Sequence, residues 1–351
     1  MALAIAVLAV AVASWIVSSA APSPARQASR SPPRHTTTTA KTTTASSGSR
    51  RGHAEPARRP HPALPVNVAV GLRIETFVDR SRTIRLANGT VEPRTLVTEV
   101  RYPAAGPAGA NDVRNAPAAR AAGPYPLVIF GHGFDVTPAP YASLLDAWAR
   151  AGYVVAAPVF PLASPLAPGG PSEADLVNEP ADMSYVISRM LAAGNRANGP
   201  FSGLLARNRI AVSGQSDGGD TALAVAFDRP LRDGRVTAVV VLSGAEIPQL
   251  GAFAFPRRGP PLLATQGSAD TINLPSATDM FFAVAPRPKF LLRLLGATHL
   301  PPYSSAQPYL GIIERVTVAF LDRYLKNQPA GLHRMAAAGR IAGLATLAAD
   351  L

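Results

Sequence analysis

The spacing of apolar positions changes several times along this chain, and each change predicts an element. Ala2 to Val17 is an unbroken apolar run with one Ser and no charge. Residues 22–65 lose all pattern. They are mostly Pro, Ser, Thr, Ala and Arg, with threonine runs at Thr36–Thr39 and Thr42–Thr44. Such a stretch has too little apolar surface to offset the entropy of ordering it and predicts a disordered linker. Order resumes near Val66. Val70, Leu72, Ile74 and Thr76 alternate, as do Leu96, Thr98 and Val100, the pattern of strands with one solvated face. Pro126–Phe130, Tyr153–Ala157, Arg209–Ser213, Val236–Leu242, Pro261–Thr265 and Lys289–Leu295 are short, nearly continuous apolar runs. These predict strands buried on both faces.

Between the runs, helical spacing predicts helices over 138–151, 181–193, from about Ala222 onward, 275–284 and 309–326. Strands alternating with helices, with apolar runs as the strands, predict an α/β fold. The expectation is a mostly parallel, eight-stranded sheet with helices on both faces. The segment between Leu242 and Pro261 is too short for a large cap domain. Residues 331–351, with Met335, Ile341, Leu344 and Leu347, read as a further helix packed on the domain. The organisation is therefore an export signal or N-terminal anchor over 1–21, a linker over 22–65, a folded domain over 66–328 and a helical extension over 329–351.

The first run is short for a membrane span and suits the apolar core of an export signal. Small residues follow it, Ser18-Ser19-Ala20-Ala21, as a cleavage site requires. No basic residue precedes it, so a cleaved signal and a retained anchor both stay open. Either places the protein outside the cell or on its envelope.

Charge and cysteine content change the picture in two ways. The net charge is +12, and residues 1–65 supply most of it, with eight basic side chains from Arg26 to Arg59 against Glu55 alone. The basic tail favours weak association with an anionic cell envelope, while no nucleic-acid module is recognisable. There is no cysteine, which removes disulfides, thiolate metal sites and cysteine nucleophiles together. No His/Asp cluster has metal-ligand spacing, and no cofactor or metal is expected.

The candidate chemistry lies just after the carboxyl ends of the predicted strands, where open parallel sheets bind ligands. The run ending at Ser213 leads into Gly214-Gln215-Ser216-Asp217-Gly218-Gly219 and then a helix. A Gly-x-Ser-x-Gly between strand and helix is a nucleophile elbow, in which small flanking residues allow the close approach that exposes the serine. A serine hydroxyl needs a base and the base needs an orienting group. His299, in Gly296-Ala297-Thr298-His299 after the last strand, is the candidate base. Asp270, in Gln266-Gly267-Ser268-Ala269-Asp270, is the favoured acid, and Glu246 is the alternative. The order Ser216, Asp270, His299 is that of elbow-type hydrolases. Backbone N–H groups of Asp217, next to the serine, and of Phe134, after Gly131-His132-Gly133, are the candidate oxyanion donors. Phe134, Phe160 and Tyr303 are near enough in sequence to form an apolar acyl groove or to be core.

These motifs resemble the α/β-hydrolase superfamily of serine esterases. The likeness runs from about Val66 to Leu325 and is strongest in Val100-Arg101-Tyr102-Pro103-Ala104, in Gly123–Phe134, at the elbow, and in Gly267-x-x-Asp270 and Gly296-Ala297-x-His299. Within it the chain is similar to a group containing polyester hydrolases and cutinase-like enzymes, chlorophyllases, dienelactone hydrolases and platelet-activating-factor acetylhydrolases. The resemblance implies Ser216 as nucleophile, Asp270 as orienting acid, His299 as base, Phe134 and Asp217 as oxyanion donors, and hydrolysis of a small-molecule or lipid-like carboxylic ester. Polyester-degrading relatives usually carry a disulfide, so polyester specialisation is not expected. Asp217 departs from family elbows, and a carboxylate there disfavours anionic substrates. Two other readings stay open, an acyltransferase using the same residues and a non-catalytic cell-surface binding protein on this scaffold.

Overall fold

The computed structural model describes residues 68–109, 111–251 and 253–351. The export segment and linker expected over 1–65 lie outside the described residues. In chain order the elements begin with β1 (Ala69–Arg85), β2 (Val91–Ala104), β3 (Val113–Arg114), β4 (Tyr125–Gly131), α1 (Ala142–Arg150) and β5 (Val154–Pro158). Next come α2 (Glu179–Asn195), β6 (Leu205–Gln215), α3 (Asp217–Phe227), β7 (Val236–Leu242), β8 (Leu262–Gly267) and α4 (Pro275–Val284). The chain closes with β9 (Lys289–Leu294), α5 (Pro301–Ser304), α6 (Tyr309–Leu325), α7 (Gly331–Gly339) and β10 (Ala345–Asp350).

All strands join one sheet in the order β10-β9-β8-β7-β6-β4-β5-β2-β1-β3. The central six, β5 and β4 through β9, are parallel. β2 and β1 extend one side by antiparallel pairing, and β10 closes the other antiparallel to β9. The continuous apolar runs are explained by two cores. In β4, Leu127 and Ile129 face one core with Met183 and Ile187 of α2 and Leu223 of α3. Val128 and Phe130 face the other, with Trp148 of α1 and Ile313 and Phe320 of α6. Each such buried side chain contributes about 1.5–3 kcal/mol, so both faces of the strand resist polar substitution.

The sheet has ten strands where eight are expected. β3 is two residues long, too short to carry a period, and pairs with Gly71 and Leu72 of β1. The C-terminal segment also differs from the expected helix. It is helical only to Gly339 and then returns as β10, with Leu347 opposite Leu292 of β9. Ala345 and Leu347 are buried while Thr346 and Ala348 face out. The sheet edge supplies hydrogen-bond partners for a segment whose alanines favour a helix only when nothing pairs with them.

A buried ion network ties the segment before α2 to β2. Arg94 holds Asp175 at 2.7 Å and Asp182 at 2.6 Å. It anchors a 3-10 turn over Glu173–Asn178, on the far side of which α2 begins. Among the described residues between Leu242 and Leu262 the one helical element is a short 3-10 turn, Pro248–Leu250.

Candidate active site

Ser216 sits between β6 and α3 with φ 56° and ψ −127°. A non-glycine residue with positive φ is strained by about 1–3 kcal/mol. The strain is held by backbone bonds on both sides. The Ser216 N–H donates to the Leu242 carbonyl at 3.0 Å, and its own carbonyl accepts from Gly219 at 2.7 Å and Asp220 at 2.9 Å. Close approach explains the flanking glycines. A β-carbon on Gly214 would overlap the Gly218 carbonyl, and one on Gly218 would overlap the Gly131 carbonyl at the end of β4.

Three side chains from three strand ends meet here. His299 Nε2 lies 2.9 Å from Ser216 Oγ, and His299 Nδ1 lies 2.8 Å from Asp270 Oδ2. Asp270 is fully acceptor-bound. Its Oδ1 takes the N–H groups of Ile272 at 3.0 Å and Asn273 at 3.1 Å, and its Oδ2 takes Gln266 Nε2 at 3.1 Å. Burial pushes the Asp270 carboxyl up, but the bonds and charge of His299 and the Ile272 N–H outweigh it and hold it below the usual carboxylate range. An ionised Asp270 places the imidazole proton on Nδ1 and leaves Nε2 as an acceptor facing the serine hydroxyl. Glu246 follows β7 and makes no bond to His299, whose Nδ1 is occupied by Asp270.

The turn after β4 packs directly on the elbow. A β-carbon on Gly133 would lie 3.2 Å from Ser216 Cβ, so Phe134 and Asp217 belong to the two segments flanking the serine. His132 keeps that turn in shape. It is fully buried, its Nδ1 lies 2.8 Å from the Gly133 carbonyl, and its Nε2 accepts the Phe160 N–H at 2.9 Å. An acceptor at Nε2 requires the proton on Nδ1. Burial, only partly opposed by the Gly133 bond, lowers the imidazole to about 4. The Asp135 N–H, one residue past Phe134, donates to the Ala163 carbonyl at 2.8 Å.

Two of the three aromatic residues considered for an acyl groove are core. Phe160 stacks on His132 with ring centroids 4.9 Å apart, and Tyr303 is buried with its hydroxyl on Ser243 and Thr265. Phe134 alone is half-exposed. Sequence reasoning misses a further link. Tyr141 donates to Gln215 Oε1 at 2.7 Å and accepts the Gly133 N–H at 3.4 Å. Gln215 Nε2 in turn donates to the His299 carbonyl at 3.3 Å and lies 3.2 Å from His299 Nε2. Gln215 adjoins Ser216 in the motif, but nothing in the linear pattern marks Tyr141 as its partner. Gln266 is likewise a silent strand residue until Asp270 folds back on it.

Asp217 has an unusual setting. It is 9% exposed, and its Oδ2 has no hydrogen-bond partner among the described residues. Burial first, and then the negative charge of Glu173, raise its carboxyl to about 6, against the pull of His299. Behind it, burial drives Glu179 and Asp220 well above the usual carboxylate range. Among the described residues no group of three or more His, Asp or Glu is arranged to hold a metal ion.

A mostly parallel sheet with helices on both faces and a strand-to-helix elbow beyond its carboxyl edge defines the α/β-hydrolase fold. The chlorophyllase family model matches residues 99–274, half of the chain, and the chain belongs to the chlorophyllase family. Chlorophyllase-1 of Arabidopsis thaliana is 30% identical over 157 residues, which is 44% of this chain and 45% of that protein. The chain thus spans a little under half the length of that relative. The family match takes in the turn after β4, the elbow and Asp270, and stops before His299.

Proposed function

We propose that this protein is a serine carboxylic ester hydrolase that works through an acyl-enzyme. The observation that carries the reading is the continuous hydrogen-bonded chain from Ser216 Oγ through His299 to Asp270, starting at a serine in a strained elbow. Family membership supports ester hydrolysis as the reaction class.

Ser216 Oγ attacks the ester carbonyl carbon while His299 Nε2 takes its proton. Asp270 keeps the imidazole in the required tautomer and stabilises the imidazolium that forms. The carbonyl oxygen becomes an oxyanion, held by the N–H groups of Phe134 and Asp217, each contributing about 3–4 kcal/mol of barrier lowering. The intermediate collapses, the C–O bond to the alcohol breaks, and His299 returns its proton to the leaving alkoxide. Water then repeats the sequence on the acyl-enzyme, releasing the acid and restoring Ser216. His132 and Tyr141 position these groups from behind, while Gln215 reaches the base itself, its Nε2 3.2 Å from His299 Nε2.

The test is hydrolysis of p-nitrophenyl esters from acetate to palmitate, with chlorophyll in the same panel, by the full chain and by Ser216→Ala, His299→Ala and Asp270→Ala. Each variant is expected to lose about 10⁴–10⁶-fold in kcat. A wild type that is inert on the whole panel and unlabelled by a fluorophosphonate would refute the reading. Added alcohol acceptors report acyl transfer as an alternative fate of the acyl-enzyme.

A further inference from the structure

We infer that Asp217, supported by Glu173, is a charge filter at the nucleophile, so that the site accepts neutral esters and esters carrying a cationic group and rejects esters carrying an anionic one. The inference rests on the esterase reading above and names the substrate class of that site.

Geometry places the carboxylate at the reacting centre. Asp217 is the residue after Ser216, its N–H is a proposed oxyanion donor, and the carboxylate lies against that same N–H. Its Oδ2 is unpaired in a nearly closed setting. A buried carboxylate with one oxygen unbonded is only partly neutralised locally, so its field acts on a substrate held at Ser216.

Glu173 adds negative charge beside Asp217, while burial holds Glu179 and Asp220 toward their neutral forms. Glu173 on the 3-10 turn, Glu179 on α2 and Asp220 on α3 all act on or respond to this charge, and so does Tyr141 on the turn before α1. Glu179 bonds Thr221 at 2.8 Å, and Asp220 accepts from the Ala245 N–H. Two cations joined to α2 among the described residues are already engaged. Arg94 holds Asp175 and Asp182, and Arg82 holds Asp79 and Asp182. Among the described residues His299 is the one positively chargeable group acting on Asp217, and it must be neutral to serve as a base.

A structural role for this residue is a poor alternative. A helix-capping carboxylate would bond N–H groups one turn on, whereas the Gly219 and Asp220 N–H groups bond the Ser216 carbonyl. A neutral asparagine would satisfy any purely steric need.

The test uses three isosteric p-nitrophenyl esters whose acyl chains end in a tert-butyl, a trimethylammonium or a sulfonate group. A second set carries the same groups on the alcohol. These charges do not titrate, so any pH effect belongs to the protein. A unit charge within about 8 Å, at an effective dielectric of about 40, changes a rate about fivefold. Reversing the sign of the substrate charge doubles that energy. The cation-to-anion ratio of kcat/KM at pH 8 is therefore expected to exceed ten in wild type, for one of the two sets. It is expected to fall about tenfold or more in Asp217→Asn and by a smaller factor in Glu173→Gln. In wild type the ratio is expected to shrink as the pH is lowered from 8 to 5, as Asp217 takes up its proton, and in Asp217→Asn to stay flat. A ratio unchanged by Asp217→Asn in both sets would overturn the charge filter while leaving the esterase reading intact. A wild type inactive on the neutral tert-butyl esters overturns the esterase reading and the filter with it.

Discussion

Acid should weaken this protein at a buried histidine that does not touch the serine. His132 has an acceptor role at Nε2, where the Phe160 N–H arrives at 2.9 Å, and a donor role at Nδ1 toward the Gly133 carbonyl at 2.8 Å. Protonating Nε2 would set two N–H donors face to face in a fully buried place. The folded imidazole therefore titrates at about 4, against 6.5 when unfolded. Because the folded value is the lower one, the unfolded chain binds the extra proton first. Stability from this group is complete above about pH 6.5 and is lost as pH falls toward 4. At about 1.4 kcal/mol per pH unit, the loss is about 2 kcal/mol at pH 5 and about 3 kcal/mol below pH 4. Other groups also titrate in this range, so the measurement is a difference. His132→Asn keeps a donor for the Gly133 carbonyl and cannot titrate. Urea unfolding of wild type and variant at pH 7.5 and at pH 5 gives two stability gaps. The gap is expected to be about 2 kcal/mol smaller at pH 5, because only wild type carries the titrating group. Equal gaps at the two pH values would refute the assignment of His132 as a buried neutral acceptor.

Further expectations follow from the close approaches and buried links around the elbow. Gly218→Ala forces a β-carbon onto the Gly131 backbone, which no rotamer change relieves. It is expected to cost more than about 3 kcal/mol and to abolish activity. Gly234→Ala meets nothing within 4 Å and is expected to stay within about 0.5 kcal/mol of wild type by urea unfolding, the assay that also reads the Gly218→Ala loss. Tyr141→Phe leaves Gln215 Oε1 and the Gly133 N–H without their buried partner, a cost of about 1–3 kcal/mol in stability. If the pair also positions the turn after β4 against the His299 loop, kcat falls about tenfold with KM little changed; a lowered melting temperature with kcat intact would leave Tyr141 a purely structural role.

Much of the fold is legible because its signals are local. A strand buried on both faces must be apolar at every position, so β4 through β9 stand out as runs. The elbow is local too, since the glycines at 214 and 218 and the serine between them act on one another across a single turn. Other features are invisible for the opposite reason. β10 exists because β9 leaves an open edge, and the Ala-rich chain from 345 to 350 carries no period strong enough to announce it. Phe160 and Tyr303 look alike in sequence to any site aromatic, and packing on His132 and Ser243 turns both inward. Gln215 pairs with a tyrosine 74 residues earlier in the chain, a separation that no motif records.

Steric and hydrophobic constraints act over a few residues, so the alternation of strands and helices, the sharp turn at Ser216 and the short list of acids and histidines at strand ends are readable from the amino acids alone. The tertiary structure decided which of those ends meet. Parallel pairing in the order β9-β8-β7-β6-β4 brings residues 83 and 29 positions apart to within 2.9 Å and 2.8 Å, sets Asp270 rather than Glu246 on His299, and buries Asp217 with its Oδ2 unpartnered among the described residues. Hydrogen bonds and charges act across space, and only the packed sheet fixes those distances.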